Sequence, residues 1–173
     1  MQNPVEEAVV RKSVRVKAPI EHTFKVFVEQ MESWWPASHH IGKSPFVALF
    51  VEPRVGGRWY EQNAEGELCD WGRVLKWDPP HGVTFSWHVG PKEHENPEAK
   101  WGFDEDLSKA SEVEVRFSDE GQGVTLVELT HSKLERHGGD TQKLRALFDG
   151  PGAWQGILDL FAQKVDAQEG AKG

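Results

Sequence analysis

From Phe46 to His131 the sequence repeats one pattern, short runs of alternating apolar and polar residues separated by glycine and proline turns. A period of two puts successive side chains on opposite faces of a strand. Turns this frequent leave little room for the crossover helices that parallel strands require. Val83, Phe85, Trp87 and Val89 alternate with Thr84, Ser86 and His88, and Val113, Val115 and Phe117 alternate with Glu112, Glu114 and Arg116. Turn chemistry recurs at Val55-Gly56-Gly57-Arg58, Ala64-Glu65-Gly66-Glu67, Asp78-Pro79-Pro80-His81-Gly82 and Gly121-Gln122-Gly123. The intervening segments Arg58 to Gln62, Leu68 to Trp77 and Val124 to His131 read as further strands. In the second of these, Cys69, Trp71, Leu75 and Trp77 alternate with Asp70, Gly72 and Lys76, with Arg73 interrupting. The unbroken apolar run Phe46 to Val51 predicts a strand apolar on both faces.

The flanks differ from this meander. Val10, Val14, Val16 and Ala18 alternate with charged and polar residues as a first strand, and after Pro19 the spacing of Ile20, Phe24, Phe27, Val28 and Met31 predicts an amphipathic helix ending near Trp34-Trp35-Pro36. Gly90 to Ala110 reads as a surface excursion that Trp101 and Phe103 could dock. After Gly138-Gly139, Asp140 or Thr141 can cap a helix carrying Leu144, Leu147 and Phe148. Pro151 and Gly152 interrupt it, and Trp154, Leu158, Phe161 and Val165 resume helical spacing with Ile157 adjacent. The order strand, helix, six strands, helix predicts an α+β fold: a curved antiparallel sheet of about seven strands around a long C-terminal helix. At 173 residues one hydrophobic core suffices. We expect a single domain over 8–166, with flexible termini at 1–7 and 167–173.

A formal charge of −8 disfavours binding to polyanions, and the basic stretch Arg11 to Lys17 alternates with valines as the solvent face of a strand. No nucleic-acid partner is expected. The one cysteine, Cys69, excludes an internal disulfide and matches a reducing compartment. Neither a signal-peptide core nor a run of 18 apolar residues is present, so the expected location is the cytoplasm, without membrane insertion.

Several motifs carry a resemblance. Val16-x-Ala18-Pro19 opens the first helix, and Trp34-Trp35-Pro36 follows it. Then come Glu52-Pro53-x-x-Gly56-Gly57-Arg58-Trp59-Tyr60-Glu61, Trp71-Gly72-x-Val74, Asp78-Pro79-Pro80, Phe85-x-Trp87, Thr125-x-Val127-x-Leu129-Thr130-His131 and the Trp154 helix. In this order they resemble the SRPBCC superfamily with its START-like, helix-grip fold. More narrowly, the chain resembles the group named for the C-terminal domain of the activator of Hsp90 ATPase. The resemblance implies a cavity between sheet and helix that holds lipids, polyketides or other apolar molecules in relatives. It also implies a chaperone partner or a stress-related role as an alternative. The full Hsp90 activator has a large N-terminal domain for which this chain has no room.

Eight tryptophans provide large rigid surfaces. They serve either as packed core or as the wall of a cavity that stacks on a planar ligand. The ligand-binding candidates are Trp34, Trp35, Phe46, Trp59, Trp71, Trp87, His131, Trp154 and Phe161, with Trp34 and Trp35 placed at the mouth. His131 shares strand parity with Leu129 and is the candidate catalytic acid or base; the alternative is a core histidine satisfied by hydrogen bonds. His39-His40 lacks further ligands at metal spacing, so neither a metal nor a cofactor is expected. Arg58, Arg73, Glu61 and Asp70 are expected to pair on the surface across neighbouring strands. No phosphate-cradling loop or Gly-x-Ser-x-Gly elbow occurs. These readings favour binding of a small hydrophobic or aromatic molecule over catalysis.

Overall fold

A computed structural model describes residues 9–35, 46–91, 101–103, 110–137, 141–150 and 153–172. In it β1 (Val10–Val16) leads to α1 (Ile20–Glu29) and the single-turn α2 (Met31–Trp34). The meander follows as β2 (Phe46–Val51), β3 (Arg58–Asn63), β4 (Leu68–Asp78) and β5 (Gly82–Trp87). Then come the short strands β6 (Val89–Pro91) and β7 (Trp101–Phe103), the long β8 (Ser111–Gly121) and β9 (Val124–Ser132), a 3-10 turn at Leu134–His137, α3 (Thr141–Asp149) and α4 (Trp154–Lys172).

Seven strands form one curled antiparallel sheet in the order β1-β9-β8-β5-β4-β3-β2, and β6 pairs with β7 in a separate ribbon. The expected strand count and connectivity therefore hold, and the surface excursion contributes its own two-stranded ribbon. The side chains of Trp101 and Phe103, and residues 92–100 and 104–109, lie outside the described residues. Helix α4 continues to Lys172, past the point where the sequence suggests a flexible tail.

The sheet grips α4 because the apolar row of the helix meets the inward rows of the strands. Leu158, Phe161 and Val165 are fully buried against a core that includes Val16, Val127 and Leu129. Polar ties along β1 hold the helices in place. Lys12 pairs with Asp149 at 2.7 Å, Arg145 Nε–H donates to the Val9 carbonyl at 3.1 Å, and the Lys17 amide donates to Asp166 Oδ1 at 2.9 Å. Helix α1 closes one end of the interior. Phe24 meets Trp77 and Phe117 edge-on at 5.3 and 5.2 Å, and Phe27 meets Phe117 and Phe161 at 5.6 and 5.3 Å.

Three details depart from the sequence reading. First, Gln30 leaves helical geometry, so the predicted first helix becomes α1 followed by the separate turn α2. Second, β2, one of the two edge strands, is not covered on both faces. Leu49 points inward, but Phe50 is 39% exposed and meets the Tyr60 ring at 5.2 Å. Third, the parity of β4 shifts twice, against β3 between Trp59 and Tyr60 and against β5 between Val74 and Lys76. Trp71, Val74 and Trp77 consequently belong to the inner side, although they do not share one parity.

A Cβ at Gly72 would run into the Ser86 carbonyl oxygen, so only glycine lets β4 approach β5 this closely. At the same place the Arg73 amide donates to Ser86 Oγ at 2.9 Å. The outward row Thr84, Ser86 and His88 is also buried, and Ser86 Oγ lies 2.7 Å from His88 Nε2.

Candidate ligand-binding site

The end of the interior away from α1 is built of indoles. Strand β3 alternates Arg58, Tyr60 and Gln62 outward with Trp59, Glu61 and Asn63 inward. Beside this row β4 presents Trp71, while β5 presents Phe85 and Trp87. From the opposite side α4 contributes Trp154, α3 contributes Phe148, and Trp35 arrives directly after α2. The rings form one cluster. Trp59 lies 5.4 Å from both Trp71 and Trp87 and 4.5 Å from Phe85, and Trp87 lies 5.2 Å from Trp154. Trp35 lies 5.0 Å from Trp71 and 6.0 Å from Trp154. Most of the contacts are tilted or edge-on, the arrangement that aligns a positive ring edge with a negative face.

Into this aromatic end the fold places polar groups. Glu61 is completely buried, and its Oε1 accepts the Trp71 Nε1–H at 2.8 Å. His131 is also completely buried, with its ring 4.6 Å from Phe148 and 5.5 Å from Trp87. Trp154 Nε1–H donates to His131 Nδ1 at 2.9 Å. An indole nitrogen can only donate, so Nδ1 is the acceptor and the neutral ring carries its proton on Nε2. Nε2–H then donates to Ser111 Oγ at 2.6 Å, and the Ser111 hydroxyl lies 3.4 Å from the Trp87 carbonyl that it can donate to. The hydrogen bonds thus run in one direction from α4 through β9 and β8 to β5.

Trp59 Nε1–H points to Met31 Sδ at 3.3 Å. Trp87 differs, because its Nε1–H is buried and meets no acceptor among the described residues.

The predicted residues are only partly brought together. Trp35, Trp59, Trp71, Trp87, His131 and Trp154 meet in this cluster. Trp34 and Phe161 lie in the adjoining core, 5.0 Å from each other, and Trp34 Nε1–H is used by the Val26 carbonyl at 3.2 Å. The side chain of Phe46, and both His39 and His40, lie outside the described residues. Glu61 is the residue the sequence reading misplaced. Arg58 and Arg73 do share Asp70 on the outer face, at 2.6 and 3.3 Å, but Glu61 points the other way. The available signal was its parity with Trp59, two residues earlier on the same strand.

Cys69, on β4 beside this end, is held as a thiol. Burial pushes its pKa up to about 11, with further upward contributions from the negative charge of Glu61 and Glu67. Outside, the hydrogen bond to Asp70 holds the Arg58 guanidinium in its charged form, and the guanidinium lies 4.4 Å over the Tyr60 ring. Among the described residues no group of three or more His, Cys, Asp or Glu could hold a metal, and no helix is long and apolar enough to cross a membrane.

A curled antiparallel sheet closed on a C-terminal helix defines the helix-grip class. The family model described as Activator of Hsp90 ATPase homolog 1-like protein matches residues 17–165, and the chain belongs to that family. Among solved structures it is similar to an anthrahydroquino-γ-pyrone synthase, Txn09, complexed with SUM. The two are 41% identical over 90% of this chain and 95% of the synthase, with a TM-score of 0.61. It is also similar to CalC, a self-sacrificing resistance protein from Micromonospora echinospora, at 28% identity over 92% and 95% of the two chains with a TM-score of 0.59. The Aha1 dimer from Colwellia psychrerythraea shares the fold, at 15% identity over 91% and 96% and a TM-score of 0.61. No curated protein matches the sequence.

Proposed function

We propose that this chain is a cytoplasmic protein that binds a planar, apolar, polyketide-like aromatic molecule at the tryptophan-lined end of its interior. The observation that carries the reading is Glu61. Burying a carboxylate is costly even when it is hydrogen bonded, and a core selected only for stability would fill the same volume with an apolar side chain. Apolar walls with a few convergent polar groups are the usual composition of a small-molecule site. The 41% identical synthase, whose name specifies a fused aromatic product, supports the choice of ligand class. The indoles supply the flat faces such a molecule stacks on, and Glu61 supplies an acceptor for a ring hydroxyl.

The rings touch one another in the free protein, so a ligand has to part them. Trp35 is the ring to move, because it alone of the five stands outside the strands and helices, at the end of α2. Titration with 2-hydroxyanthraquinone, read by tryptophan fluorescence, tests the proposal. Saturable quenching with one ligand per chain is expected, weakened about tenfold by Trp35→Ala. Absence of saturable quenching across a panel of planar aromatics overturns it.

The synthase relative also favours a second reading, ring closure catalysed in the same place. Glu61 would then be the acid or base, with His131 positioning Trp154 and Ser111. Glu61→Gln separates the two readings: under catalysis it abolishes turnover while ligand still binds, and under binding alone no turnover exists to lose.

A further inference from the structure

Trp87 carries a buried donor for which no acceptor stands within reach among the described residues. Its side chain sits at the centre of the cluster, within 5.8 Å ring to ring of Trp59, Trp154, His131 and Phe148. The neighbouring indoles are matched: Trp59 to Met31 Sδ, Trp71 to Glu61 and Trp154 to His131. A buried N–H without an acceptor bears the full cost of its desolvation, and a protein that arranges three adjacent indole donors so carefully leaves the fourth open for a reason.

We propose that the Trp87 Nε1–H is the recognition donor of the site, and that it selects aromatic molecules bearing a ring carbonyl, of quinone or pyrone type, over flat hydrocarbons of the same shape. The proposal rests on the binding reading above. An indole nitrogen cannot accept a hydrogen bond, so a hydroxyl reaches it only through oxygen lone pairs, whereas a ring carbonyl presents an in-plane acceptor. A site built around one buried donor rejects an analogue lacking the acceptor far more strongly than it distinguishes shapes by packing.

Two ligands of one outline test this, 2-hydroxyanthraquinone and 2-hydroxyanthracene, which share the hydroxyl and differ in the ring carbonyls. The wild-type chain is expected to bind the quinone about tenfold more tightly or better. Trp87→Phe, which removes the N–H and keeps an aromatic ring, should bring the two affinities to within about twofold. If that variant fails to fold, the indole N–H resonance of Trp87 in the wild-type protein serves instead. It should move downfield with the quinone and not with the hydrocarbon. Equal binding of both ligands by the wild-type chain, or an unchanged preference in Trp87→Phe, overturns this inference and leaves the binding reading standing. Failure of both ligands to bind overturns the two together.

Discussion

The two ends of the interior are made of the same kind of residue and differ in what they do with polarity. At the α1 end Phe24, Phe27, Phe117, Trp34 and Phe161 pack ring against ring, and the polar groups of Trp34, Thr23 and Thr125 are closed on backbone carbonyls. Trp34 Nε1–H meets the Val26 carbonyl, Thr23 Oγ1–H meets the Pro19 carbonyl, and Thr125 Oγ1–H meets the Ala18 carbonyl. At the other end the rings surround a carboxylate, an imidazole and a hydroxyl, and one indole N–H is left over. Aromatic abundance alone therefore does not mark a site. The first end behaves as ordinary core, whereas the second carries polar groups whose burial is unfavourable unless they serve something besides packing.

Substitutions should separate the ends. Phe161→Ala, at the apolar end, removes a fully buried ring and should lower stability by about 4 kcal/mol in urea unfolding, mainly through the cavity it leaves. A loss well below this would show that the first end is loosely packed and would remove the contrast. His131→Ala strands the Trp154 donor and removes the donor to Ser111 Oγ, and should cost about 2–3 kcal/mol by the same measurement. It should also alter the indole N–H resonance of Trp154, which a change in packing alone would not single out.

The smallest effect concerns pH. The native chain holds the Cys69 proton up to about 11, while an unfolded chain releases it near the ordinary value of 9. The native state thus binds more protons across that interval, so the contribution of Cys69 to stability is intact below about 9 and is lost as pH rises toward about 11. Cys69→Ala should flatten this slope. Glu61→Gln should lower the Cys69 pKa, because it removes one of the negative charges that raise it. An unmoved thiol titration in that variant would mean that Glu61 carries no charge beside Cys69.

Most of the fold was legible because alternation and glycine turns are local. The turn at Gly121-Gln122-Gly123, with φ positive at all three residues, needed no tertiary information to locate. What escaped was set by the sheet as a whole. Phe50 is exposed because it points to the face of β2 opposite the buried Leu49, and a hydrophobic run does not encode which face is covered. The close approach of β4 to β5 at Gly72 involves Ser86, so the glycine was visible in the sequence but its neighbour was not. Glu61 looked like a surface residue by its charge, and only its register with Trp59 shows otherwise. The open donor of Trp87 is a property of distances between strands far apart in the chain, and no reading of one strand could have found it.

Fluorine NMR of the chain labelled with 5-fluorotryptophan, titrated with 2-hydroxyanthraquinone, tests the contrast between the two ends most directly. The resonances of Trp35, Trp59, Trp71, Trp87 and Trp154 should shift and saturate together, while that of Trp77, which packs on Phe24 at the other end, stays in place. A saturating shift confined to Trp77, or no shift at any of the five, would contradict the account.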